Sequence, residues 1–340
     1  MKSSHLLCLI LILSRSEVFV RRNAVRLSMV AVAAAAALSL SSCAGNAGEG
    51  SPSSSGGIEV VTSTNVYGDI VKAIGGDKVN VNAIITKTSQ DPHSYEANAQ
   101  DKLVISKAKL VVENGGGYDD FLHKIADDTN IGHDNMISAV EVSGLAPEEA
   151  GHSEEAHSDE AHSHSHGEFN EHVWYSLDSM GKLADAVAAK LGALDSGSAA
   201  TFKSNADSFK GKLAELTGKL QALKASNQDA PVAITEPVPL YLLEAAGLVN
   251  KTPEAYSAAV EEGTDVPASV LKETTDLVSG VRLLAYNEQT EGPQTEAVKK
   301  AADAAGVPVV NFTETLPEGK DYVQWMAGNV DAISGALAKQ

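Results

Sequence analysis

Residues 199–223, AATFKSNADSFKGKLAELTGKLQAL, are the stretch whose periodicity decides the architecture. Apolar side chains recur at Phe202, Phe209, Leu213, Leu216, Leu220 and Leu223, the three-and-four spacing of one helix face. The pattern predicts a single helix of about 25 residues, about 37 Å long at about 1.5 Å per residue. A helix of that length between two halves of a chain acts as a rigid spine.

On its N-terminal side, short strands alternate with helices. Ile58–Thr62, Val79–Ile85 and Leu110–Val112 read as strands. Val66–Ile74, closed by Gly75-Gly76, and Ala99–Ala108, Tyr118–Asp128 and Met180–Leu194 read as helices. On its C-terminal side the alternation restarts, with strands at Pro231–Thr235, Val281–Tyr286 and Val307–Phe312. Helices follow at Val238–Ala246, Val266–Val278, Thr295–Ala305 and Tyr322–Ala338. The halves repeat in kind, Thr62-Ser63-Thr64-Asn65 answering Thr235-Glu236-Pro237 after the opening strand. The predicted fold is α/β: two (βα) lobes with parallel sheets, residues 58–194 and 227–340, linked by a long rigid spine helix over 195–226. Ligands of such folds collect beyond the carboxyl ends of the strands, hence between the lobes.

The chain has 340 residues, 43% of them hydrophobic, with 21% charged and a formal charge of −19. That balance excludes nucleic acid, whose phosphates require clustered Lys and Arg. Aromatic residues are 5%, too few for extended stacking platforms.

Arg21, Arg22 and Arg26 precede a short apolar run, Leu27–Leu40, the layout of a secretory signal rather than a spanning helix. It ends in Leu40-Ser41-Ser42-Cys43, which resembles the lipobox of bacterial lipoproteins. The resemblance implies a signal peptide over 1–42, lipidation at Cys43 and a site on the extracytoplasmic face of the cell membrane. Leu6–Leu13 form a second apolar run ahead of the arginines, as a start placed too far upstream would give; Val18 or Val20 are alternative starts. Removal of 1–42, with five basic side chains against one acidic, takes the charge to −23 and removes Cys8. No disulfide or cysteine metal site then remains. Residues 44–57, mostly Gly, Ser and Ala, read as a flexible tether.

Between Pro147 and Gly167 periodicity disappears. Five of the ten histidines, His152, His157, His162, His164 and His166, fall here among Glu154, Glu155, Asp159 and Glu160. Such a tract reads as a mobile, weak and unselective metal-binding loop; a plain solvated loop is the alternative. An ordered site must come from elsewhere. His93 follows the second strand in Asp91-Pro92-His93-Ser94-Tyr95-Glu96. His172 follows the histidine-rich loop in Asn170-Glu171-His172-Val173-Trp174. Glu236 and Glu314 each follow a strand of the second half. All four are N or O donors at the mouth of a lobe. His123 and His133 read as surface or helix residues.

These motifs resemble the metal-specific solute-binding lipoproteins of ABC importers for zinc or manganese. The resemblance covers nearly all of Ile58–Gln340. Its marks are the Asp91–Glu96 motif, His172-Val173-Trp174, Leu194-Asp195, Phe202-Lys203-Ser204-Asn205 and the acidic histidine-rich loop. It implies His93, His172, Glu236 and Glu314 as ligands; Glu96, three residues after His93, reads as support for the imidazole, with helix capping as the alternative. It also implies a permease with its ATPase as partner, and a monomer. Two departures stand out. Asn170-Glu171 replaces the family's Asp-Pro, and the fourth ligand falls on Glu314 rather than Asp, with Glu288 as an alternative. The histidine-rich loop points to zinc, while mixed N and O donors also suit manganese. His-Glu-x-x-His and a Ser-His-Asp elbow are absent, so a hydrolase is disfavoured. An extracellular zinc chaperone or adhesin would share the same site.

Overall fold

The computed structural model describes residues 56–90, 92–146 and 169–339. The leader, Cys43, most of the tether, Asp91 and the histidine-rich loop 147–168 lie outside the described residues. Among the described residues, no helix is long and apolar enough to cross a membrane.

The first lobe opens with β1 (Ile58–Thr64), α1 (Asn65–Gly75) and β2 (Val79–Ile85). It continues through α2 (Ala99–Ile105), β3 (Leu110–Glu113), α3 (Asp120–Asp128), β4 (Met136–Ser138) and α4 (Ala139–Ser143). Its four strands are all parallel, in the order β2-β1-β3-β4. Every residue of β3 is buried, as expected of a central strand covered on both faces. β2 lies at an edge and carries Asn80 outward, where its side chain donates to Glu59 at 2.8 Å. Gly75 and Gly76 do end α1. Gly76 takes φ +58°, and a Cβ on Gly75 would collide with Val79.

Two helices then run between the sheets, α5 (Leu177–Leu194) and α6 (Ala199–Asn227). α6 has 29 residues, one turn longer than its apolar pattern predicts, because Lys224–Asn227 continue the helix beyond the last stripe residue. Its buried stripe is Phe202, Ala206, Phe209, Leu213, Leu216 and Leu220. Asn205 donates to the Ile74 carbonyl of the first lobe at 2.8 Å, while Lys219 pairs with Asp331 of the last helix at 3.1 Å.

The second lobe contains β5 (Ala230–Ile234), α7 (Leu240–Ala245), β6 (Leu248–Asn250), α8 (Glu254–Glu261) and α9 (Ala268–Leu277). It closes with β7 (Leu284–Asn287), α10 (Pro293–Ala305), β8 (Val309–Phe312) and α11 (Tyr322–Leu337). Its strand order is β6-β5-β7-β8, again all parallel, so the two sheets share one topology. β4, β6, α4 and α8 have no counterpart in the sequence reading. The two strands have three residues each, too short to carry a period.

The lobes are joined by more than the spine. α11 packs back onto the first lobe: the Tyr322 hydroxyl donates to the Trp174 carbonyl at 2.6 Å and its backbone N–H to Asp69 at 2.8 Å. Asn65 and Leu316 exchange two hydrogen bonds of 2.9 Å. Tyr175 donates to the Thr313 carbonyl at 2.7 Å. A single buried cluster runs through α1, α5, α6 and α11 to the strands of both sheets.

Candidate metal centre

The strand–helix alternation delivers polar side chains to the carboxyl ends of both sheets. His93 lies in the turn after β2, its side chain 19% exposed and its ring edge-on to Tyr118 at 4.7 Å. His172 is buried and immediately precedes a tight turn, Val173–Tyr175. The two imidazole centroids are 5.9 Å apart.

Asn170 sets the orientation of His172. Its Oδ1 accepts from His172 Nδ1 at 2.7 Å and from the His172 backbone N–H at 3.1 Å. Its Nδ2 donates to the Pro237 carbonyl at 3.1 Å, across the lobes, which fixes which end of the amide meets the imidazole. An amide oxygen only accepts, so Nδ1 carries a proton and Nε2 is the ring nitrogen left to serve as a metal donor. The departure at position 170 therefore keeps an acceptor where the resemblance led to an aspartate.

From the second lobe, Glu236 follows β5 and Glu314 follows β8; both are buried. Asn287, at the end of β7, holds the two together: its Nδ2 donates to Glu236 and, at 2.8 Å, to Glu314. Glu314 also accepts from the Tyr118 hydroxyl at 3.2 Å, and its Oε2 lies 3.9 Å from His93 Nε2. Glu288 points outward, exposed, and accepts from Asn311 at 2.5 Å. The geometry thus brings Glu314, not Glu288, to His93. Glu96 is exposed as well; Asn98 with Asp101 caps the helix that follows it.

One carboxylate escaped the sequence reading. Glu261, the last residue of α8, lies 3.7 Å from His172 Nε2. Donor atoms of His93, His172 and Glu261 all fall within 4.8 Å of one another. Tetrahedral zinc with bonds near 2.0–2.1 Å sets its donors about 3.4 Å apart, so a shift of about an ångström per side chain would close this trio on an ion.

The electrostatics are one-sided. Glu171, Glu236 and Glu314 are buried, and the Glu261 side chain is 7% exposed. Burial, then the charges of Glu171, Glu236 and Glu314, push the Glu261 carboxyl up to about 9. Burial and Glu314 hold the Tyr118 phenol well above its usual value. The buried polar side chains among the described residues include no lysine or arginine. Two imidazoles and four carboxyl groups, with no lysine or arginine buried among them in the described residues, are a donor set whose negative charge a divalent metal ion would offset in part.

The family described as zinc-uptake complex component A, periplasmic (ZnuA), matches residues 60–336. The manganese ABC transporter substrate-binding lipoprotein scaA of Streptococcus gordonii is 26% identical over 302 residues, covering 84% of this chain and 91% of its own. The iron ABC transporter substrate-binding lipoprotein MtsA of Streptococcus pyogenes serotype M1 is 27% identical, covering 83% and 89% respectively. Among solved structures, the periplasmic zinc binding protein TroA from Treponema pallidum shares the fold. Its TM-score is 0.62, with 23% identity over 83% of this chain and 99% of that one. With parallel lobes around a helical spine and the family match spanning both, the chain belongs to the zinc-uptake complex component A family.

Proposed function

We propose that this protein captures a divalent transition metal ion, zinc before manganese, outside the cytoplasmic membrane and delivers it to an ABC permease and its ATPase. The observation that carries the reading is the set of N and O donors that the two lobes bring to one cleft: His93 and His172 from one, Glu236 and Glu314 from the other. Four protein ligands would close the coordination shell, which suits binding and leaves no position for a catalytic water. Anchoring through Cys43 would keep the monomer at the membrane surface, with the histidine-rich loop as a collector of low selectivity.

Zinc is supported by the two imidazoles and by the family description. Manganese is the second reading, supported by the carboxylate-rich half of the site and by relatives named for manganese and iron. Metal analysis of the full chain purified without chelator tests both, alongside a variant lacking residues 151–167. One tightly held zinc that survives the deletion is expected. Loss of all tight binding on deletion would sink the ordered site, and manganese retained in preference to zinc would overturn the choice of metal alone.

A further inference from the structure

We infer that Glu261 is a receiving ligand, which takes a hydrated divalent cation from the open cleft and passes it inward to Glu236 and Glu314. The inference rests on the capture function proposed above.

Glu261 belongs to two places at once. It is the carboxylate member of the trio whose donors lie within 4.8 Å, with His93 and His172. It also lines a cavity of about 600 Å³ that opens between the lobes, a cavity shared with His93 but not with Glu236 or Glu314. Its Oε1 is buried and has no hydrogen-bond partner among the described residues. Glu236 and Glu314, by contrast, are both tethered to Asn287. A carboxylate without such a tether swings at low cost, as a transient ligand must.

The cavity wall supports the same reading. Glu262, Asp265 and Glu291 line it with Glu261, and among the described residues no lysine or arginine does. A cleft of one charge sign concentrates oppositely charged ions and raises association rates by about 10 to 10³-fold. Glu261 and Glu262 also stand at the C-terminal end of α8, where the helix dipole disfavours negative charge. Local helix stability gives no reason for two carboxylates there; an approaching cation does. The exchange is a sequence of ligand substitutions. Glu261 Oε1 displaces one water from the hydrated ion, any proton on its carboxyl passing to solvent, the imidazole nitrogens displace others, and the inner carboxylates complete the shell as Glu261 lets go.

Stopped-flow binding of zinc to the full chain tests this, read by the fluorescence of Trp174, whose ring lies 5.1 Å from that of His172. Glu261→Gln is expected to slow association about tenfold or more, with dissociation into excess chelator changed by less than about threefold. Glu261→Asp should keep association within a few-fold of wild type, which separates a lost carboxylate from a damaged fold. The triple variant Glu262→Gln, Asp265→Asn, Glu291→Gln, all at exposed or half-buried positions, should flatten the salt dependence of association. Unchanged association in Glu261→Gln would overturn the inference while leaving metal capture intact. So would dissociation accelerated as much as in Glu314→Gln, since Glu261 would then belong to the final shell. A wild-type chain that binds no divalent ion would instead sink the capture function itself.

Discussion

A single oxygen of Asn170 holds both the ring and the backbone of His172, accepting from Nδ1 at 2.7 Å and from N–H at 3.1 Å. The imidazole is therefore held in one orientation by its neighbour two residues upstream. Partners of this kind beyond the ligands typically govern about 10- to 100-fold in metal affinity. Asn170→Ala is expected to weaken zinc binding within that range, measured by competition with a chelator, and Asn170→Asp to restore it. Unaltered affinity in the alanine variant would show that the turn before Val173 orients the ring unaided.

Asn287 carries a different burden, holding two carboxylates together. Asn287→Leu removes both donated hydrogen bonds to these buried carboxylates, at about 1–3 kcal/mol each. Thermal melts should show the metal-free variant less stable than the wild type, with saturating zinc recovering much of the difference. Equal losses with and without metal would contradict this role.

The spine's stripe makes a size prediction. Phe209 is buried and stacks near Tyr322, ring centroids 5.8 Å apart. Phe209→Ala is expected to cost about 3–5 kcal/mol, the range for emptying an aromatic core position. Because the buried cluster spans both sheets, denaturant unfolding should stay a single transition in the variant. Separate transitions for the two halves would refute a shared core.

His123, away from the candidate centre, predicts a pH dependence. Its hydrogen bond to Glu113, 3.0 Å from Nδ1, raises the imidazole from 6.5 to about 9, and Asp127 adds to the effect. A raised folded-state value means that the native chain binds the proton more tightly than the unfolded chain. The stabilisation is full below about pH 6.5 and fades as pH rises through about 9. The melting-temperature gap between wild type and His123→Ala should therefore be widest near pH 6 and close by about pH 10. A gap independent of pH would assign His123 to packing alone.

The parts of this molecule that were legible in its sequence are those with a period or a motif. The Phe202–Leu220 stripe predicts the spine, and β2 is predicted over the span it occupies. His93 and His172 stand out because histidine next to Asp-Pro or Val-Trp is locally distinctive. Glu261 does not, for two physical reasons. The chain has 45 acidic residues, so one more carboxylate on a helix end carries no contrast. The helix that presents it follows a strand of three residues, and its place in the cleft is set by tertiary packing rather than by any local pattern. Asn287 was hidden similarly: an amide beside Glu288 draws no notice until β7 is seen to end between two other loops.

The return of α11 to the first lobe has a consequence for biosynthesis. Tyr322 and Trp325 cover Trp174 and Tyr175, residues synthesised far earlier, so the first lobe lacks part of its lining until the last helix is made. A chain emerging from the ribosome cannot finish one half and then the other. A premature stop between Phe312 and Tyr322 would leave aromatic surface bare in both halves, and quality control would meet a product sticky throughout rather than half a working protein.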